Sequence, residues 1–97
     1  MLNSKQRAKL RSLASNIDAT TIIGKEGLTE NVLSQLERDL FSRELIKVSI
    51  LEGAELSAKE YLQITSEKLG AEQVCSIGRK FVLYKLSNKK GIKHIEF

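Results

Sequence analysis

The residues that could do chemistry in this chain are few, and the most pointed of them sit together in "TTIIGKEGLTENVL". Gly24 and Gly27 bracket Lys25 and Glu26, between a β-branched run and a helical pattern. A chain that only turns from strand to helix manages with one glycine and an N-cap, so the second glycine asks for a reason. A glycine-flanked turn entering a helix N-terminus leaves backbone N–H groups unpaired and lets an anionic chain approach without meeting a Cβ. Lys25 adds a cation at the point of approach, whereas Glu26 opposes an anion unless it points outward. Taken alone, the motif is better read as a purely structural strand-to-helix turn.

Other chemistries lack their residues. Cys75 is the one cysteine and His94 the one histidine. A lone cysteine makes no internal disulfide and holds no structural metal, which agrees with a reducing compartment. Cys75 alternates with apolar neighbours and reads as a packed thiol. His94 has no second histidine to help ligate a metal and no partner to orient it as a base, so phosphate contact or free solvation suits it better than catalysis. Catalytic and cofactor functions are therefore not expected. The five aromatic residues form no row of stacking platforms, which favours backbone and shape recognition over base reading.

Charge is segregated along the chain. Net charge is +4, but residues 1–25 carry five basic residues against one acid, 79–97 carry six against one, and 26–78 carry ten acids against five bases. A fold that joins the two ends would present a positive face to a polyanion and keep an acidic body behind it. Glu52, Glu55, Glu60 and Glu67 mark that body. No apolar run reaches the roughly 18 to 20 residues of a membrane span, and the basic N-terminus has no signal-peptide core, so a soluble cytoplasmic protein is expected. Ninety-seven residues without proline, repeat or low-complexity linker suit one domain, 1–97, ending in a basic tail from about residue 87.

The elements that must position these residues follow from periodicity and capping. Asn3 or Ser4 caps a first helix to about Asn16, with Leu10, Leu13, Ala14 and Ile17 on one side and Lys5, Arg7, Lys9 and Arg11 flanking them. "ATTIIG" reads as a short strand; Thr29 caps a second helix bearing Val32, Leu33, Leu36 and Leu40. "ELIKVSILE" alternates as a half-buried strand. Ser57 to Glu60 fits a capping box, and Gly70 ends the third helix. "EQVCSI" and "KFVLYKL" form a hairpin through Gly78-Arg79, and apolar residues on both faces make the last strand central. The result is a two-layer α/β fold, α-β-α-β-α-β-β, with a four-stranded mixed sheet. Crossover helices make the first three strands co-directional, which brings Lys25, the loop at Gly53, Arg79 and Lys80 to one sheet edge. The first helix is expected to point Lys5 and Arg7 back to that same edge.

The sequence resembles the YhbY-like family, built on the CRM domain named for chloroplast RNA splicing and ribosome maturation. The resemblance covers nearly the whole chain, through "SKQRAKLRSLA", "IIGKEGLTENV", "RELIKV" and "IGRKFVLYK" in that order and spacing. It implies a fold similar to the C-terminal domain of bacterial translation initiation factor three, with a KH-like GxxG loop. It also implies a non-enzymatic, cofactor-free RNA-binding protein associated with large ribosomal subunit precursors. A monomer is expected, with ribosomal RNA as its partner and a ribosomal protein as a further neighbour on the acidic body. Gly24, Lys25 and Gly27 match the family's RNA-contacting loop, and the basic first helix with Lys5, Arg7, Lys9 and Arg11 matches as well. Arg79 and Lys80 join them by convergence. Tyr84-Lys85-Leu86 stands where family members commonly read Tyr-Arg-Pro. A protein-interaction module acting through the acidic face of the third helix, or an RNA chaperone unconnected with the ribosome, are the alternatives.

Overall fold

The structure, a computed structural model, describes residues 2–92, 94 and 95. Its elements are α1 (Ser4–Ala14), β1 (Thr21–Ile23), α2 (Glu30–Arg43), β2 (Leu45–Ile50), α3 (Ala58–Leu69), β3 (Glu72–Ile77) and β4 (Lys80–Tyr84). The helices begin where side chains can satisfy their free N–H groups. Asn3 Oδ1 accepts from Gln6 N at 2.8 Å while the Gln6 side chain accepts from Asn3 N, and Ser57 with Glu60 repeats this reciprocal cap. Thr29 Oγ1 accepts from Val32 N at the start of α2. At the end of α3, Gly70 takes a left-handed φ of +64°, and Lys85 Nζ donates to the Leu69 carbonyl at 2.9 Å. That cation meets the negative end of the helix, which gives Lys85 a structural use.

The strands assemble in the order β1-β2-β4-β3, with β1 parallel to β2 and β4 antiparallel to both its neighbours. The first three strands therefore run the same way, as the crossover argument requires. β4 is central: Phe81 and Leu83 enter the core formed with α2 and α3, while Val82 and Tyr84 enter a second cluster with Leu10 and Ala14 of α1. Fully burying such side chains contributes about 1.5–3 kcal/mol each. The expected two layers are the sheet and the α2–α3 pair; α1 lies on the sheet's other face and covers part of it. Leu86, expected to continue the strand, is exposed beyond its end.

β3 is an edge strand, and its rim is blunted. A bulge between Gln73 and Cys75 turns consecutive Val74 and Cys75 toward the α1 cluster, and Arg7 Nε donates to the Gln73 carbonyl at 3.3 Å. Both devices discourage pairing with another chain.

The C-terminal segment winds around Glu44. This residue ends α2 with φ +67° and ψ −39°, a sparsely populated positive-φ conformation that costs a non-glycine residue about 1–3 kcal/mol, and its side chain is fully buried. Its carboxylate accepts from Ser87 N at 2.7 Å and Ile95 N at 3.2 Å and pairs with His94 Nδ1 at 2.6 Å. His94 is thus engaged by a carboxylate, contrary to the phosphate contact or free solvation expected of it. Lys93, counted in the basic tail, lies outside the described residues.

Burial pushes the Glu44 carboxyl up, but the Ser87 N–H, the His94 ring and the Ile95 N–H outweigh it, and the carboxyl sits below the ordinary glutamate value. A group lowered in the folded state adds stability above its unfolded pKa and loses that contribution as pH falls through the folded one. Urea denaturation should therefore show Glu44→Gln less stable than wild type by about 2 kcal/mol at pH 7. The gap should narrow as pH drops below about 4.3; a gap independent of pH would mean that ionisation of Glu44 plays no part.

Candidate nucleic-acid interface

The loop after β1 is a tight turn. Gly27 N donates to the Gly24 carbonyl at 3.0 Å, and Thr29 N donates to the Gly27 carbonyl at 3.2 Å before Thr29 caps α2. Lys25 and Glu26 stand exposed at the tip. Among the described residues, the N–H groups of Lys25 and Glu26, and of Glu30 and Asn31 at the first turn of α2, have no hydrogen-bond partner. Four donors and one ammonium therefore face solvent along a short arc at the positive end of a helix dipole. Glu30 lies in the same helical turn and offsets part of that field.

The two glycines differ in what the backbone asks of them. Gly27 has φ +72°, and a Cβ there would come 3.4 Å from the hydroxyl of buried Tyr61. Gly24 has no left-handed φ, and a Cβ would make an ordinary 3.6 Å contact with Leu51. Folding accounts for Gly27 and leaves Gly24 spare.

Three neighbouring segments share this edge. Leu51 N donates to the Ile23 carbonyl, so the loop through Glu52 and Gly53 lies beside the glycine turn. Ile50 N donates to the Arg79 carbonyl at 2.7 Å, which fixes the β3–β4 hairpin against the end of β2. Gly78 supplies the positive φ of the two-residue turn. Lys25, Arg79 and Lys80 thus come to one edge, as expected. Arg79 Nη1 lies 3.8 Å from Glu52 Oε2, an exposed pair that is easily exchanged for another anion.

The first helix does not join them there. Leu2 N donates to Glu72 Oε1 at 2.8 Å and Arg7 Nε reaches the Gln73 carbonyl, both at the beginning of β3. The N-terminal end of α1, with Lys5 and Arg7, therefore sits at the opposite end of the strands from the glycine turn. The expectation failed because it assumed a helix antiparallel to the strand that follows it. The chain from 15 to 20 is long enough for α1 to cross the sheet from the β3 side toward β1 instead. Lys5, Lys9 and Arg11 are exposed on this helix. Arg11 and Lys47 both reach the surroundings of Cys75: burial pushes that thiol up, and these two cations pull it the other way.

Lys47 is the cation that periodicity concealed. It occupies the polar phase of β2, where it reads as a solvent-facing strand residue, but that phase belongs to the sheet face that α1 covers incompletely. The acidic face expected of α3 is also absent. Its exposed residues are Lys59, Glu60, Gln63, Glu67 and Lys68, with two charges of each sign. Among the described residues no cluster of three His, Cys, Asp or Glu could hold a metal ion, and no helix is long and apolar enough to cross a membrane.

Known proteins share this chain's pattern. The CRS1 / YhbY (CRM) domain matches residues 2–85. The chain is 35% identical over 96 residues to the Bacillus subtilis protein named Probable RNA-binding protein YqeI, covering 99% of this chain and 98% of that one. It is 36% identical over 93 residues to a Haemophilus influenzae protein named RNA-binding protein, covering 95% and 93%. The solution structure of SAV1595 from Staphylococcus aureus, described as a candidate RNA-binding protein, superimposes with a TM-score of 0.79 at 42% identity, over 93% of this chain and 94% of that one.

The backbone analysis separates the two glycines experimentally. Gly27→Ala should lower the urea-derived stability by about 1–2 kcal/mol. Gly24→Ala should leave it unchanged or raise it by up to about 1 kcal/mol. Equal losses at both positions would contradict the geometry.

Proposed function

Given that this chain belongs to the CRS1/YhbY (CRM) domain family, we propose that it is a non-enzymatic RNA-binding protein that holds phosphates on the glycine turn. The observation that carries this reading is the turn itself. It combines exposed Lys25, N–H groups without partners and a glycine at position 24 that folding does not require. A phosphate there replaces water on several donors at once and meets no Cβ at Gly24, and charge-assisted hydrogen bonds are the stronger kind. Arg79 and Lys80 flank the site on the same edge, with Glu52 yielding Arg79 to a phosphate. Lys5, Arg7, Lys9 and Arg11 supply a separate basic surface on α1, which suits an RNA large enough to span both. The whole chain, 1–97, acts as one RNA-binding domain.

The physiological RNA we assign is ribosomal RNA of the large subunit or its precursor, bound during assembly in the cytoplasm by a protein monomer, with ribosomal proteins as further neighbours. The support for this finer assignment is the family resemblance in the loop, first helix and hairpin. Binding is the whole of the mechanism, and no residue is assigned a catalytic role.

The test is affinity for large-subunit ribosomal RNA across a salt series, for wild type and for the double variant Lys25→Asp, Glu26→Asp. Each phosphate contact contributes about 0.9 to the log–log salt slope on B-form duplex DNA and about 0.7 on single strands. The variant should keep its fold and lose most of the affinity and part of the slope. An affinity flat from low to high salt would refute phosphate binding, and a folded variant that binds like wild type would remove the glycine turn from the site.

A further inference from the structure

Strand register places Ile22, Ser49, Lys80 and Ile77 side by side across all four strands, in the row next to the sheet edge that carries the glycine turn. All four lie on the α1 face, since their chain neighbours Ile23, Val48, Ile50 and Phe81 point into the α2–α3 core. The second row on this face holds Lys47, Val82 and Cys75. Leu10 and Ala14 of α1 cover Leu45, Val74, Val82 and Tyr84 but stop short of the first row. Ile22 is left 56% exposed and Ile77 68% exposed, with Lys80 exposed between them.

This open row has a consistent chemistry. Neighbouring strands lie about 4.8 Å apart, so the two isoleucines stand roughly 14 Å from each other across the sheet. Lys80 and Lys47 lie between and beside them, Arg11 approaches from α1, and none of these residues is acidic. Among the described residues Lys47, Lys80 and Arg11 make no ion pair. A duplex would press phosphates and sugars against the isoleucines and gain nothing from them. An unpaired strand offers apolar base faces whose contact takes the exposed Ile22 and Ile77 out of water, while its phosphates meet the lysines.

We propose that this uncovered row of the sheet is a second RNA contact, specific for an unpaired strand that continues from the glycine turn onto the sheet face. The inference rests on the RNA-binding reading above and adds the strand preference. The strand crosses Ile22, Ser49, Lys80 and Ile77, with Lys47 and Arg11 on its phosphates.

The experiment compares a short fluorescein-labelled single-stranded RNA with a blunt RNA hairpin of the same base composition, both titrated with wild type, Ile22→Thr/Ile77→Thr and Lys80→Gln. Threonine keeps β-propensity, and all three positions are exposed, so the fold should persist by circular dichroism. The threonine pair should weaken single-strand binding by about fivefold while leaving the hairpin within about twofold. Lys80→Gln should lower the single-strand salt slope by about 0.7. Unchanged single-strand affinity in the threonine pair, or equal losses of that pair on both probes, would overturn the strand-specific contact. In either case wild-type binding that still depends on Lys25 leaves the RNA-binding reading standing. Wild-type protein that binds neither probe nor ribosomal RNA would overturn both.

Discussion

Everything in this molecule hangs on one strand that must be apolar on both sides. β4 is five residues long, yet Phe81 and Leu83 supply one core and Val82 and Tyr84 the other. No other strand is buried so fully on both faces, and β4 also hydrogen-bonds to both β2 and β3. The two helical surroundings are therefore coupled through four consecutive side chains. A change in the volume of Phe81 presses on α2 and α3, and a change in Val82 or Tyr84 presses on α1. A small domain with little apolar surface to spare concentrates its packing in this way.

Around that strand the charges divide the work. Cations with structural partners, Lys85 on the Leu69 carbonyl and Arg7 on the Gln73 carbonyl, close a helix end and guard a sheet edge. Cations without such partners, Lys25, Lys47 and Lys80, lie at the glycine turn and on the open row of the sheet. Among the described residues Glu44 is the one carboxylate taken fully out of water, and three donors from the C-terminal segment meet it there. Removing one partner from such a group costs far more than removing an exposed ion pair such as Arg79 with Glu52.

Local rules made most of the architecture legible. Caps at Asn3, Thr29 and Ser57, the left-handed glycine at 70 and the Gly78-Arg79 turn act within a few residues, and each was readable from the sequence. Apolar residues in both phases of β4 mark it as central. What escaped were matters of direction and of distant partners. The path of α1 depends on contacts with Glu72 and Gln73, and nothing near residue 7 encodes them. Glu44 looked like the first residue of a strand, because its partners Ser87, His94 and Ile95 lie more than forty positions away. Lys47 looked like ordinary strand polarity because alternation says which residues share a face, and not how far a helix extends across it. Of the candidate site, the glycine turn and the hairpin cations were legible as neighbours; the separation of Lys5 and Arg7 from them was not.

The route of α1 also bears on the order in which the chain acquires its structure during synthesis. Its hydrogen-bond partners stand 70 and 66 residues downstream, and the residues that cover Leu10 and Ala14 include Val82 and Tyr84. Chains emerge from the N-terminus forward, so of the seven elements this helix is made first, and it gains a surface to dock on only after β3 and β4 have followed. Until β3 and β4 emerge, its apolar stripe is open to water and its basic residues are bound to nothing within the chain. The first of these elements to be made is thus the last to be housed, and the arrival of β3 and β4, more than any local helix signal, sets the moment at which it can dock.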